Sequence, residues 1–362
     1  MAVYIINFAI NMLLGLFLMR VKTRDGKRGP EKFYLLITVL QFGLVCGFRG
    51  LSVGWDTDSY LTIFSLTPDS WETIFDNFQY VEIGFSVYCS IIKILGGDFQ
   101  TMLIVTALFV MGSACVFVYR HSRNVLLSVF ILVSFPFYYS SFDIIRHFMA
   151  TAFFLLGYKY VVERKLIKYV IFLAIGSLFH SIAWLFLPFY FLRKLKWNWI
   201  TITCAVVGTA VCFFFLDDMA IFAAQLINKS VPSGWVDSYG GGIKTAVMYF
   251  GILIMSLLGL YNQREKSLDK HSALNLILVL FIFSVIFINA RIMTRLIMTS
   301  VPLMAIAVPE LLCDKKNTIS HQNNAVYMLG FIAIGCVYHG FMLWMSWQSV
   351  VPFVPYWAGN VL

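Results

Sequence analysis

Apolar runs long enough to cross a lipid bilayer recur along the whole chain, and short charged clusters separate them. Several runs reach about 17 to 22 residues, which at about 1.5 Å per residue matches a hydrocarbon core of roughly 30 Å. Hydrophobic residues occupy 60% of the 362 positions and charged residues only 12%, about half of the charged share of a soluble domain. The pattern predicts an all-α, polytopic integral membrane protein.

The charged clusters predict how the chain is oriented in the membrane. Residues 20–32, between the first two apolar runs, contain six Lys or Arg, whereas residues 52–82 contain six acidic residues and no Lys or Arg. Positive charge collects in cytoplasmic loops, so residues 20–32 are predicted inside and residues 52–82 outside. The same distribution explains the net charge of +9 without a nucleic-acid partner.

About twelve transmembrane helices follow, with both termini outside and one membrane domain over residues 1–362. Residues 83–95 are too few to cross comfortably and are predicted as a short re-entrant or interfacial helix at the outer face. The run 169–192 is predicted as two short helices that turn at His180. The other predicted spans are residues 3–19, 33–51, 99–119, 125–142, 145–162, 198–216, 245–262, 272–290, 293–312 and 324–345. Outer loops are expected at about residues 52–98 and 217–244.

A group of cationic side chains is predicted near the outer ends of these spans, although Lys and Arg usually collect on the cytoplasmic side. The group is Arg49, Arg146, His147, His180, Arg291 and Arg295. Charged residues in spans usually face a protein interior or a watery cavity. Guanidinium groups stay ionised and grip phosphate oxygens bidentately, so a shared site for an anionic ligand, most naturally a diphosphate, is predicted. Snorkelling anchors, and structural ion pairs with Asp56, Asp58 or Glu82, are the alternatives.

Three residues are candidates for a general base. His180 is the first choice because a neutral imidazole accepts protons near pH 7, and Asp56 and Glu82 are the competing carboxylates. Trp55 and Tyr60 are candidates for stacking on sugar rings, with a place in the interfacial aromatic belt as the alternative. Motifs for nucleotide hydrolysis, zinc proteolysis and elbow-serine chemistry are absent from the sequence. No cofactor and no metal are expected.

Several segments resemble motifs of one family. The stretch FRGLSVGWDTDSY, residues 48–60, resembles the R-G-x-x-V-G-x-D-T-x-x-Y signature of the EpsG/Wzy-type bacterial polysaccharide polymerases. The other similar stretches, in chain order, are VEIGF (81–85), DIIRHFMA (143–150), FHSIA (179–183) and RIMTRLIMTSVPL (291–303). His147 stands where the family has Gln, and Ser181 follows the histidine directly.

The resemblance implies a glycosyltransferase that joins repeat units of an O-antigen of lipopolysaccharide, a capsule or an exopolysaccharide. The donor would be a glycan on a polyprenyl diphosphate such as undecaprenyl diphosphate, at the outer face of the bacterial inner membrane. The active site would face the periplasm or the cell exterior. Arg49, Arg146, Arg291 and Arg295 would stabilise the leaving diphosphate, and His180, Asp56 or Glu82 would deprotonate the acceptor hydroxyl. A chain-length regulator protein is a further expected partner.

Two other functions fit parts of the pattern. An O-antigen ligase-like transferase would share the arginines and the histidine but use a different acceptor. A flippase for lipid-linked oligosaccharides would also carry cationic residues in the inner half of its spans, and the inner positive charges here lie in ordinary loop clusters. The ordered set of motifs favours the polymerase.

Overall fold

The computed structural model describes residues 1–20, 28–75, 81–192, 195–196, 198–226, 242–261, 268–286, 294–313 and 318–358. Over these ranges the chain forms fifteen α-helices and no β-strand, in agreement with the predicted all-α class. An isolated bridge pairs Arg49 with Pro355.

The described helices differ widely in length, from four residues to 28. In chain order they are α1 (Ala2–Leu18), α2 (Gly29–Gly47), α3 (Thr57–Leu66), α4 (Ile83–Ile94), α5 (Phe99–His121), α6 (Val125–Ser134), α7 (Phe137–Ser140), α8 (Ile145–Val162), α9 (Leu166–Ser177), α10 (Phe189–Leu192), α11 (Trp199–Leu226), α12 (Gly242–Tyr261), α13 (Leu268–Ile286), α14 (Thr294–Leu312) and α15 (Thr318–Trp344). A 3₁₀ helix, Ser181–Phe186, lies between α9 and α10.

Three of the described segments are long and apolar enough to cross a membrane by length and composition: Phe99–His121, Arg295–Leu312 and Ala325–Trp344. Several shorter apolar helices accompany them. Apolar helices of this kind are what a membrane protein needs, and the count of about twelve spans stays a prediction. The segment predicted as a short helix at residues 83–95 is α4, with 12 residues.

Two predicted boundaries are wrong. The span predicted over residues 125–142 is broken, because α6 ends at Ser134 and Pro136 precedes the separate helix α7. Proline lacks an N–H and disfavours the α conformation in the residue before it, and Phe135 is extended accordingly. The outer loop predicted from residue 217 is helical in its first part, since α11 continues to Leu226; residues 227–241 lie outside the described residues.

The chain divides into two compact units. The first comprises Met1–Tyr190 and Ile332–Leu362, where α5 packs against α2 and α8, and α8 packs against α9. The second is Phe191–Phe331, where α12, α13 and α14 pack on one another.

A buried cluster in the first unit holds α3, α4, α5 and the start of α8 together. Its members are Tyr60, Phe64, Val81, Phe85, Cys89, Ile92, Phe99, Met102, Leu103, Ile145 and Met149. The residues that immediately precede α4 and open α8 are thereby brought to one place, which is where the polar residues of the candidate site lie.

Candidate active site

Residues 48–56, called here the signature loop, are fastened to a segment near the end of the chain. Gly50 N donates to Val354 O at 2.8 Å, Tyr356 N donates to Phe48 O at 2.9 Å, and Gly54 N donates to Ser349 O at 3.2 Å. These bonds give the loop a defined path in place of regular secondary structure.

Gly54 is required by the path of this loop. Its φ is +99°, a conformation that only glycine adopts readily, and a Cβ placed there would lie 3.0 Å from the carbonyl oxygen of Phe142. The second glycine of the R-G-x-x-V-G motif therefore lets the loop pass directly against the turn before α8.

Arg49 lies inside the protein and is 1% exposed. Its Nη1 donates to Cys46 O at 2.8 Å and its Nη2 donates to Phe142 O at 2.8 Å, while the guanidinium lies 5.4 Å from the centre of the Phe142 ring. A buried guanidinium is tolerated when such acceptors surround it. Arg49 thus joins the end of α2 to the turn before α8.

Asp56 directly precedes α3, and its main-chain N–H donates to the carboxylate of Asp143 at 2.6 Å. Asp143 is 3% exposed and lies three residues before Arg146. The sequence analysis missed Asp143 as a functional residue. The signal that could have found it is an aspartate within an otherwise apolar stretch, next to the I-R-H motif.

Glu82 pairs with Arg146. The carboxylate immediately precedes α4, the guanidinium belongs to the second residue of α8, and the Oε2 of Glu82 accepts a short hydrogen bond from Nη1 of Arg146. The Arg146 side chain remains 24% exposed and that of Glu82 27%. The Nε of Arg146 is buried with no hydrogen-bond partner among the described residues. Arg146 therefore has one buried N–H that makes no hydrogen bond to the described residues, which is uncommon in folded proteins.

Gly84 allows this pair to approach His180. Its main-chain N donates to Leu178 O at 2.8 Å, and a Cβ on Gly84 would lie 2.7 Å from that oxygen. Only glycine permits this close contact between the start of α4 and the end of α9. The E-x-G motif thus contains the carboxylate of Glu82 and the glycine, Gly84, that lets the start of α4 lie against the end of α9.

His180 directly precedes the 3₁₀ helix and caps it, since Ile182 N donates to Nδ1 of the imidazole at 3.1 Å. A ring nitrogen that accepts a hydrogen bond carries no proton, so the proton of the neutral ring is on Nε2. That nitrogen lies 3.9 Å from Oε1 of Glu82. The ring of His147 of α8 lies against the His180 ring, with centroids 3.7 Å apart and the two planes tilted by 30°.

Tyr60 lies between the arginine and the aspartate. Its hydroxyl is 3.5 Å from the main-chain N of Arg146, and it is 5% exposed. Burial raises the pKa of the phenol above its ordinary value of 10.0, an effect that the charge of Arg146 opposes and that of Asp56 reinforces. Tyr60 therefore stays neutral at neutral pH and serves as a hydrogen-bonding group.

The structure brings together six of the predicted site residues. They are Asp56, Tyr60, Glu82, Arg146, His147 and His180. Trp55 lies next to Asp56 in the loop and is 60% exposed. Arg295 lies in the first turn of α14, in the second unit. Arg291 lies outside the described residues.

The family assignment adds to this geometry. A family model described as the EpsG family matches residues 32–357, which is most of the chain. This chain belongs to the EpsG family. No curated protein and no solved structure matches it. Membership of the EpsG family and the apolar helices together indicate a membrane-embedded polymerase of the polysaccharide type that acts on lipid-linked glycans.

The groups at this site suit transfer chemistry on an anionic donor. Arg146 offers fixed positive charge and a free N–H, His180 offers an Nε2–H donor, and Glu82 offers a carboxylate beside both. Among the described residues no group of three or more His, Cys, Asp or Glu could hold a metal ion.

Proposed function

We propose that the protein is a glycosyltransferase that polymerises oligosaccharide repeat units carried on polyprenyl diphosphate. The reaction takes place at the outer face of the bacterial inner membrane and contributes to an O-antigen, capsule or exopolysaccharide. The observation that carries the proposal is the convergence of Glu82, Arg146 and His180 from three separate motifs of the EpsG family.

Arg146 binds the donor diphosphate in this proposal. Its guanidinium is held at the start of α8, where the helix has a partial positive charge. The buried Nε–H is a donor that a phosphate oxygen would satisfy. Arg291 and Arg295 remain proposed diphosphate ligands on the sequence alone, because both lie near the predicted outer end of a span.

Arg49 has a different part in the proposal. It is buried and its donors are directed at main-chain carbonyls, so its contribution is to hold the signature loop against the turn before α8. This geometry favours a structural role for Arg49 over direct contact with the diphosphate.

Glu82 is the proposed base. His180 is the first choice from sequence, but its Nδ1 accepts a hydrogen bond from Ile182 N. If Nε2 acted as the base, the proton of the neutral ring would be on Nδ1, and that proton would point at the N–H of Ile182. The geometry favours Nε2–H as a donor to the leaving diphosphate or to Glu82. Asp56 is proposed to bind sugar hydroxyls beside Tyr60 and the exposed ring of Trp55.

The bond changes balance without a further reactant. The acceptor hydroxyl oxygen bonds to the anomeric carbon of the donor while the bond from that carbon to the diphosphate oxygen breaks. The electron pair leaves with the diphosphate, where Arg146 and His180 stabilise it, and the hydroxyl proton passes to Glu82.

The test uses the purified protein in liposomes with a synthetic lipid-linked repeat unit from the host polysaccharide. The expected result is a ladder of lengthened glycans, with one polyprenyl diphosphate released for each bond formed. Transfer to a lipid A core acceptor without a ladder would instead identify a ligase. Movement of the lipid across the membrane with no bond formed would identify a flippase, and either result would overturn the proposal.

A further inference from the structure

Asp143 occupies a central position between the signature loop and the arginine of the site. Its carboxylate is buried, and its own backbone is fixed by a bond from Asp143 N to Ser140 O and by one from Ile145 N to Asp143 O. The turn that carries it leads directly into α8 and Arg146. A shift of this turn would therefore move the guanidinium as well.

The signature loop contacts this turn at three places. Arg49 donates to the carbonyl of Phe142, Gly54 passes closely over the same oxygen, and the N–H of Asp56 donates to the Asp143 carboxylate. The first two contacts are directed at main-chain atoms. The third depends on the identity of one side chain.

The bond to Asp143 orients the part of the loop that reaches the site. The main-chain N of Asp56 immediately precedes α3, and this helix carries Tyr60 to the main-chain N of Arg146. Fixing the Asp56 amide thus fixes the start of α3 and, one turn later, the Tyr60 hydroxyl. Asp56 and Tyr60 are thereby held in register with Arg146.

We propose that Asp143 is a positioning residue for glycosyl transfer, which acts as a hydrogen-bond acceptor for the Asp56 amide and takes no proton from the substrate. The inference rests on the proposed function for its kinetic consequences. A carboxylate whose role is to accept this bond can be replaced by an amide, because the carbonyl oxygen of asparagine accepts the same bond. A carboxylate that acts as a base cannot.

The first measurement is polymerisation by the purified protein with the lipid-linked repeat unit. Asp143→Ala is expected to lower kcat by about 100-fold with a much smaller change in the KM for the donor, since misplaced groups slow the chemical step while the charge of Arg146 is retained. Asp143→Asn is expected to restore most of the turnover. The control is Ser141→Ala, which removes a hydrogen bond to Tyr138 O in the same turn and is expected to leave kcat unchanged.

The second measurement does not depend on the substrate. Val53 in the signature loop is fully buried, so a Val53→Cys thiol should react slowly with a maleimide, as read by peptide mass spectrometry at residue 53. Adding Asp143→Ala should accelerate the reaction, and adding Asp143→Asn should not.

Each outcome decides the inference. An Asp143→Asn variant as slow as Asp143→Ala, or an Asp143→Ala variant with normal kcat and a protected Cys at 53, would overturn it. If Asp143→Ala fails to insert, Asp143→Asn must still be active and keep the thiol protected. If the unaltered protein makes no polymer, the proposed function fails, whereas the maleimide comparison still tests Asp143.

Discussion

Arg49 and Arg146 are the same residue type beside two apolar helices of one compact unit, yet their surroundings differ completely. Arg49 is 1% exposed and donates to the carbonyls of Cys46 and Phe142. The Arg146 side chain is 24% exposed and pairs with the carboxylate of Glu82. Each of the two arginines also has a buried Nε with no hydrogen-bond partner among the described residues. The Nη groups of Arg49 bind main-chain carbonyls of the fold, whereas Arg146 pairs with a carboxylate at a partly exposed position.

The difference shows how to interpret cationic side chains in a membrane protein. A buried guanidinium is costly unless its donors are satisfied, and main-chain carbonyls accept hydrogen bonds from both Nη groups of Arg49. A carboxylate partner such as Glu82 can instead exchange with a phosphate, because both are anions that an arginine grips in the same way. The kind of acceptor, a main-chain carbonyl or a carboxylate, therefore distinguishes an arginine that holds the fold together from one that is a candidate for ligand binding.

The largest effect is expected at Arg146. Arg146→Ala should lower polymer formation by about 1000-fold, since a fixed charge at the leaving group is lost. Arg146→Lys should restore part of the activity, because an ammonium cannot reproduce the bidentate fork. Polymer length is measured by gel electrophoresis, and membrane levels of the protein are measured beside it. The matched control is Arg120→Ala in the last turn of α5, which should polymerise normally; long chains in Arg146→Ala would remove the distinction from Arg49.

The carboxylate that faces Arg146 is expected to come next. Glu82→Gln should lower kcat by about 100-fold, because the amide cannot take the acceptor proton. Binding of the donor lipid, measured separately, should persist, since Arg146 remains. A variant that lost donor binding but kept normal kcat would make Glu82 a partner of the arginine alone.

His180 is expected to be intermediate. His180→Ala should lower kcat about 10-fold by removing both the cap on Ile182 N and the Nε2–H donor. His180→Asn should retain more activity, because the amide can accept from Ile182 N as the imidazole does. If both variants were completely inactive, the base would be His180 and not Glu82.

Arg49 should affect stability more than chemistry. Arg49→Met keeps much of the buried volume but leaves the carbonyls of Cys46 and Phe142 without their donor, at about 1 to 3 kcal/mol for each unsatisfied group. The midpoint of thermal unfolding in detergent should fall, and activity per folded molecule should change much less than in Arg146→Ala. A normal melting temperature with lost donor binding would place Arg49 in the site after all.

The smallest effect is expected at Asp98, which calibrates how stability alone affects activity. The carboxylate caps α5 by accepting from Thr101 N at 2.8 Å, and hydrogen bonds from the main chain and side chain of Thr101 lower the pKa of Asp98 below its ordinary 3.8. Asp98→Ala should cost about 1 kcal/mol of unfolding free energy and leave kcat unchanged.

The pH dependence of this variant has a defined sign. Because the pKa of Asp98 is lowered in the folded state, its stabilisation is complete above pH 3.8 and is lost as the pH falls through the folded pKa. The difference in melting temperature between the unaltered protein and Asp98→Ala should therefore be constant from pH 7 to pH 5. A difference that vanished in that range would contradict the assignment.

Local features of the fold were predictable, while the partners of polar groups were not. Periodic apolar runs with flanking charges are local, so the start of α4 at Ile83 and the turn at His180 agree with the sequence. Pro136 is present in the sequence, but the length of the apolar run favours a single continuous span over residues 125–142. Burial of Arg49 depends on Phe142, which lies 93 positions away in sequence, and the bond between Asp56 and Asp143 spans 87 positions.

The bonds between the signature loop and residues 349–356 have a consequence for how the protein is made. Gly50 and Val354 are partners, yet the ribosome synthesises almost the whole chain between them. Contacts that close such a long loop form late. A chain synthesised only as far as residue 348 therefore lacks the partners that hold the signature loop in place.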